Sequence, residues 1–181
     1  MSFNYFLTFR LNDTKLQREL RKVHVEFVRE DESIKNFIEP AEKAHITLNV
    51  IHCDNSRLEE LKNLIREEIE NHRDILQNIP EIEVKGFGMF GTSVLWAEPT
   101  KGVEYLQQVN QIFKNMLLKN GFKTKTSSYN PHVTLFLAKS GASLNVDQKD
   151  LGIISSSIFN YSYNNLNFRK ISRYSIWNSY C

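Results

Sequence analysis

Two tetrapeptides in this chain share one pattern: histidine, an apolar residue, threonine and leucine. They are His45-Ile46-Thr47-Leu48 and His132-Val133-Thr134-Leu135. Each lies in an apolar, β-branched run that predicts a strand, and in a strand residues two apart share one face. Each tetrapeptide therefore presents an imidazole beside a hydroxyl on one face and turns its apolar residues to the other.

The repetition carries more information than either copy alone. The chain has five histidines, and the other three are each followed two residues later by an acidic residue. From this composition, we expect two such patterns by chance in roughly one chain in a hundred. A lone histidine of this kind is more often a structural residue, whereas the pair indicates a shared site.

The spacing also predicts a duplicated strand–helix–strand unit. The first strand precedes its histidine by 38 residues (Leu7 to His45), and the second by 37 (Leu95 to His132). We expect an α+β fold over a single domain, 1–181, whose two pseudo-symmetric lobes place antiparallel sheets around a central cleft. Helices are predicted at 14–29, 57–73 and 103–119, and strands at 5–9, 44–53, 81–87, 93–97, 132–138, 159–168 and 171–177.

Strict alternation along these strands gives further expectations. His52 is an odd number of residues from His45 and is expected on the opposite face, whereas Phe136 is expected to share the face of Thr134. His24 and His72 lie in predicted helices, where we expect them to face solvent.

Composition excludes several classes of protein. The net charge of +2 is too small to indicate a surface for duplex DNA. The two cysteines are not arranged as a zinc or disulfide framework, and no apolar run reaches the length of a membrane span. Because we also see no signal peptide, we expect a cytoplasmic protein, with the nucleus as the other option, and a monomer that needs neither metal nor cofactor.

With its two motifs, one in each half of a duplicated α+β unit, the chain resembles the 2H phosphoesterase superfamily. The local contexts Lys43-Ala44-His45 and Asn130-Pro131-His132 are most similar to the branch that contains the central domain of A-kinase anchor protein 7 and viral 2′,5′-phosphodiesterases. That resemblance implies cleavage of 2′,5′-oligoadenylate, the activator of ribonuclease L. It also implies that His45 and His132 are the catalytic pair and that Thr47 and Thr134 bind the phosphate.

The chemistry of these residue types agrees with that implication. Histidine titrates near neutral pH, so one ring can accept a proton while the other donates one, and threonine hydroxyls can stabilise charge on the phosphate. Further side chains that could bind the substrate are aromatic or basic. They are Tyr129, Phe90, Tyr174 and Trp177 for stacking on a base, and Arg173 for attracting phosphate.

Two other functions remain open at this stage. The same residues could serve an RNA 2′,3′-cyclic phosphodiesterase that processes RNA ends, because the motifs identify the superfamily better than its substrate. A non-catalytic module that binds AMP or another nucleotide could use the same cleft. The expected partner is therefore 2′,5′-oligoadenylate, short RNA or a nucleotide.

Overall fold

The computed structural model describes residues 2–11, 14–125, 128–138, 142–144, 161–163 and 174–178, and the side chains among these from residue 5 to residue 144. The elements are named here in chain order. They are β1 (Ser2–Arg10), α1 (Thr14–Glu30), β2 (His45–Asp54), α2 (Leu58–Asn71), α3 (Arg73–Gln77), β3 (Ile82–Phe90), β4 (Val94–Pro99), α4 (Val103–Lys119), β5 (Lys123–Thr124), β6 (Val133–Leu137), β7 (Tyr161–Tyr163) and β8 (Tyr174–Asn178). Short 3₁₀ helices cover Glu32–Phe37, Ala41–Lys43 and Asn55–Arg57.

The strands form an antiparallel sheet in the order β7-β3-β4-β6-β2-β1-β8, with β5 paired to β2. The half made of β7, β3, β4 and β6 meets the half made of β2, β1 and β8 where Ile46 of β2 pairs with Val133 of β6. The predicted α+β class is confirmed, and the two histidine strands are neighbours in the sheet. Among the described residues, no helix is both long and apolar enough to cross a membrane.

The helices follow from their apolar spacing and their end signals. Helix α1 buries apolar side chains that recur at helical spacing, namely Leu16, Leu20, Val23 and Phe27. Helix α4 ends at Lys119, as predicted, because Gly121 adopts a φ of 73° that residues with a Cβ rarely tolerate. The amides of Gly121 and Phe122 then donate to the carbonyls of Leu118 and Leu117, which closes the last turn.

Both histidine strands carry a bulge at the leucine of the tetrapeptide. On β1, Leu7 and Thr8 are consecutive, but their partners on β2 are Asn49 and Thr47, so Leu48 is the additional residue. On β4, Leu95 and Trp96 are consecutive, but their partners on β6 are Phe136 and Thr134, so Leu135 is the additional residue. The fold therefore repeats an irregularity as well as a motif.

These bulges overturn two expectations that rested on strict alternation. His52 pairs with Asn4, so the register returns it to the face of His45, although seven positions of extended chain separate them. Phe136 turns away from Thr134 and into the core, where it is fully buried and its ring contacts that of Phe27 at 5.7 Å. In each case the additional leucine reverses the faces beyond it.

The carbonyls of the two bulge leucines accept hydrogen bonds in a crossed arrangement. Asn110 of α4 donates from its amide Nδ2 to the carbonyl of Leu48 at 2.6 Å. The carbonyl of Leu135 accepts from the backbone amide of Glu39, in the segment between α1 and β2, at 2.9 Å. Each half of the chain therefore satisfies a bulge carbonyl in the other half, which fixes the two strands relative to each other.

His24 is buried, contrary to the expectation that it faces solvent. It is 6% exposed, and its ring meets that of Phe136 edge to face at 5.3 Å. Burial lowers its pKa to about 4, and this outweighs the hydrogen bond with the Leu135 backbone and the charge of Glu42, which act in the other direction. His72 remains partly exposed beside Glu68.

The burial of His24 predicts acid-sensitive folding. The folded protein keeps His24 neutral down to about pH 4. In the unfolded chain, His24 takes up a proton below its ordinary pKa of 6.5. Stability is therefore lost as pH falls from 6.5 towards 4, by about 2 kcal/mol between pH 7 and pH 5. Urea unfolding at the two pH values measures this loss in the wild type and in His24→Phe.

We expect His24→Phe to remove most of this loss, and the exposed-histidine control His52→Gln to retain it. If the loss in His24→Phe equals that of the wild type, His24 is not its source.

Candidate active site

The pairing of Ile46 with Val133 brings the two tetrapeptides together. Antiparallel register around this pair sets His45 across from Thr134 and Thr47 across from His132. Ile46 and Val133 are themselves buried at 0% and 1% exposure, so the other four side chains share the opposite face. They form a square with the imidazoles on one diagonal and the hydroxyls on the other.

Both imidazoles are oriented by the same local hydrogen bond. The Nδ1 atom of His45 lies 2.9 Å from the carbonyl oxygen of Lys43, and Nδ1 of His132 lies 2.8 Å from that of Asn130. A carbonyl oxygen only accepts, so in each ring Nδ1 carries a hydrogen and donates it. This assignment leaves Nε2 as the atom that gains or loses a proton in both histidines.

The surroundings of His132 favour its neutral form. Its ring contacts those of Phe90, edge to face at 4.8 Å, and Trp96, at 6.0 Å. Burial is the main cause of a lowered pKa for His132, and the positive charges of His45 and Lys125 lower it further, against the hydrogen bond to Asn130. At neutral pH this residue is therefore available to accept a proton.

Lys125 offers a test of this electrostatic environment. Because its charge lowers the pKa of His132, Lys125→Gln should raise that pKa, and the titration midpoint should move to higher pH. NMR detection of the His132 ring Cε1–H against pH measures the midpoint directly. Lys123→Gln is the matched control, since Lys123 is also exposed but is not among the charges that act on His132. Equal midpoints in the two variants would contradict the assignment.

A cavity of about 400 Å³ opens beside His132 and Thr47. It occupies the gap where β2 leaves β6, and it reaches past the bulge towards α4. The residues that line it beyond these two include Asn49, Phe90, Asn110, Thr124, Lys125 and Tyr129. Its volume lies within the roughly 300–1,000 Å³ of small-molecule sites, so a nucleotide-sized ligand can be accommodated.

The additional substrate-binding residues predicted from sequence have different outcomes. Phe90 and Tyr129 both line the cavity, although Phe90 packs on the His132 ring rather than standing free. Tyr174 and Trp177 lie on β8 opposite Phe9 and Phe6 of β1. The side chains of these two β8 residues, and all of Arg173, lie outside the described residues.

Sequence reasoning missed several residues near the square. Strand β1 places Arg10 across from His45, and Thr8 across from Thr47. Lys125 lies close enough to lower the pKa of His132, and Asn49 lies beyond the Leu48 bulge. The pairing of β1 with β2 could have identified Arg10, but no sequence pattern marks Asn49, because the bulge that places it is not visible in the sequence.

Comparison with family models gives a match over residues 3–180, to the family described as "AKAP7 2'5' RNA ligase-like domain". This match covers nearly the whole chain, both tetrapeptides included. No curated protein sequence is significantly similar to the chain.

Solved structures share the fold at low sequence identity. The MHV ns2 PDE domain is 15% identical, with a TM-score of 0.70 over 97% of this chain and 99% of that one. Escherichia coli LigT, complexed with 3′-AMP, is 15% identical, with a TM-score of 0.51 over 78% of each chain. Kluyveromyces marxianus Usb1, with uridine monophosphate, is 15% identical, with a TM-score of 0.52 over 98% of this chain and 96% of that one.

Proposed function

Since this chain belongs to the AKAP7 2′5′ RNA ligase-like domain family, within the 2H phosphoesterase superfamily, we propose that it is a metal-independent phosphodiesterase that cleaves 2′,5′-oligoadenylate. The single observation that carries the proposal is the diagonal arrangement of two imidazoles with matched Nδ1 bonds. Each Nε2 is then the reactive atom, and the two atoms approach a central phosphate from opposite corners. That arrangement suits an in-line displacement, in which the attacking and leaving oxygens lie on opposite sides of phosphorus.

The lowered pKa of His132 supports a division of roles. In a 2′,5′-linked substrate, the free 3′-hydroxyl lies next to the phosphorus. Nε2 of neutral His132 removes its proton as the oxygen attacks, and the bond between phosphorus and the 5′-oxygen breaks. Nε2–H of protonated His45 donates a proton to that leaving oxygen. The products are a 2′,3′-cyclic phosphate and a 5′-hydroxyl, and both histidines have exchanged protonation states.

Thr47 and Thr134 occupy the other diagonal of the square. A hydroxyl at each corner can donate a hydrogen bond to a non-bridging phosphate oxygen, where negative charge grows in the transition state. The paired strands hold both threonine side chains on the same face before the substrate arrives. The threonines therefore bind the non-bridging oxygens, whereas His45 and His132 act on the leaving and attacking oxygens.

The family description supports the 2′,5′ linkage, and two of the similar structures contain a nucleotide monophosphate. A protein that removes 2′,5′-oligoadenylate removes the activator of ribonuclease L. Antagonism of that pathway is therefore the biological role that we propose, with the cytoplasm or nucleus as its proposed location.

A side-by-side cleavage assay in EDTA tests the proposal. The substrates are 2′,5′-linked triadenylate, 3′,5′-linked triadenylate and a 2′,3′-cyclic nucleotide, each given to the same purified protein. We expect selective loss of the 2′,5′ trimer. Cleavage of the cyclic substrate alone would instead assign the protein to RNA end processing. Binding of nucleotides without any turnover would make the cleft a non-catalytic module.

A further inference from the structure

Trp96 breaks the pseudo-symmetry of the two halves beside the catalytic square. On β4 it pairs with Thr134, whereas in the other half Thr8 of β1 pairs with Thr47. Both positions lie at the register shift that a bulge leucine produces, so the duplication relates them. One motif therefore has a large aromatic ring across from its threonine, and the other has a small hydroxyl side chain.

The indole of Trp96 belongs to a cluster of three rings that ends on a catalytic histidine. Its centroid lies 5.1 Å from that of Phe90 and 6.0 Å from that of His132, and Phe90 meets His132 edge to face at 4.8 Å. Trp96 is 8% exposed and, unlike Phe90, is not among the residues that line the cavity. Its effect on a substrate is therefore exerted through its neighbours.

Gly88 provides the seat for this indole. It pairs with Trp96 across β3 and β4, and a Cβ atom added to it would lie 2.3 Å from Cζ2 of the indole. Its φ is not in the left-handed region, so space rather than backbone conformation is what excludes a side chain. Among the described residues, Nε1 of Trp96 has no hydrogen-bond partner, so packing is what holds the ring in place.

We propose that Trp96 is the positioning residue that distinguishes the two catalytic histidines: seated on Gly88, it holds Phe90 against the His132 ring and fixes that imidazole as the proton acceptor. In this orientation Nδ1 of His132 donates to the carbonyl of Asn130, and Nε2 is left to accept a proton. The inference rests on the proposed function only for the identity of the proton that Nε2 removes.

The rings also set the environment in which His132 titrates. Burial is the main cause of its lowered pKa, while the charges of His45, from β2, and Lys125 act in the same direction. Glu98, two residues beyond Trp96 on β4, is exposed and is not among the charges that act on it. Displacement of the indole would admit water to the imidazole and raise its pKa. Less of the residue would then be neutral and able to accept a proton at neutral pH.

The test uses two substitutions that disturb the same contact from opposite sides. Trp96→Phe removes the part of the ring system that overlies Gly88, and Gly88→Ala displaces the indole with a methyl group. The double variant combines them. Gly121→Ala is the control for lost stability, because Gly121 has a φ of 73°, no atoms near the added Cβ, and no place in the cavity lining. Nitrogen-15 NMR of the His132 ring reports its titration midpoint and its tautomer without any substrate.

We expect each single variant to move the His132 midpoint to higher pH and to replace the pure Nδ1–H tautomer with a mixture. In the Trp96→Phe background, Gly88→Ala should add no further shift, because the ring that it displaces is already absent. Gly121→Ala should unfold at lower temperature and keep the wild-type midpoint. With the 2′,5′ trimer, kcat at neutral pH should fall roughly 10-fold or more in both single variants, with little change in KM.

A wild-type midpoint and tautomer in both single variants would overturn the proposal, since the indole would then be only a packing residue. Shifts that add in the double variant would overturn the seat on Gly88, and an equal shift in Gly121→Ala would assign the effect to lost stability. The expected NMR changes in a protein that cleaves no trimer would support the positioning of His132 and contradict the proposed function.

Discussion

Replacement of His45 or His132 by alanine is expected to lower the rate of 2′,5′-oligoadenylate cleavage by roughly 10²–10⁴-fold in each case. Each histidine supplies one of two proton transfers, and its Nε2 is the atom that its Nδ1 bond leaves available. Single-turnover rates at saturating enzyme isolate this chemical step. The double variant should lose little more than either single variant, because the two residues act in one transition state.

The control for this prediction is His52→Ala. His52 lies on the same strand and, after the bulge, on the same face as His45, but it is exposed and distant from the square. We expect its rate to remain within about 2-fold of the wild type, as is usual for surface substitutions. Affinity for AMP should survive in the alanine variants. A single-histidine variant that retains near wild-type turnover would refute acid–base catalysis by this pair.

Removal of either threonine hydroxyl is expected to have the second largest effect. Thr47→Val and Thr134→Val keep the shape of the side chain and replace the hydroxyl with a methyl group. The loss of one fixed donor to a developing oxyanion costs about 10²–10³-fold in kcat in well-studied enzymes. We expect a loss of that order for each variant, measured as kcat at saturating substrate, with a smaller change in KM.

Serine substitutions at the same two positions are the matched controls. Thr47→Ser and Thr134→Ser keep the hydroxyl and lose only the methyl group, so we expect them to retain most of the activity. If serine and valine variants were equally impaired, the methyl groups and strand packing would be what matters. The hydroxyls would then have no part in binding the phosphate.

The sequence was sufficient to predict the fold class and the shared face of the four polar side chains. Two matched tetrapeptides in strand-like runs indicated one shared site between two lobes. The structure adds that their strands are direct neighbours, with Ile46 and Val133 buried on the other face. The end of α4 was also predictable, because Gly121 provides a conformation that other residues rarely adopt. These features depend on local periodicity and on local backbone preferences.

The bulges could not be predicted, because a leucine in a strand has no property that marks it as an additional residue. Leu48 and Leu135 become bulges only when the partner strands set the register. Strict alternation therefore misplaced His52 and Phe136. The burial of His24 was missed for a similar reason, since the strand that covers it lies more than 100 positions away in the chain.

The cavity could not be predicted from the sequence either. Asn49 and Asn110 meet across a helix–strand contact, and nothing in either local pattern relates one to the other. Tyr129 was identified as a stacking residue from its position before the second motif. In the structure Tyr129 lines the cavity, and its hydroxyl is buried.

Identification of the products from 2′,5′-linked diadenylate in EDTA tests the central claim most directly. Mass spectrometry distinguishes the two bonds that could break on either side of the phosphorus. Proton removal from the 3′-hydroxyl by one histidine and proton donation to the 5′-oxygen by the other predict adenosine 2′,3′-cyclic phosphate and adenosine. Formation of 5′-AMP and adenosine, or no consumption of the dimer, would contradict it.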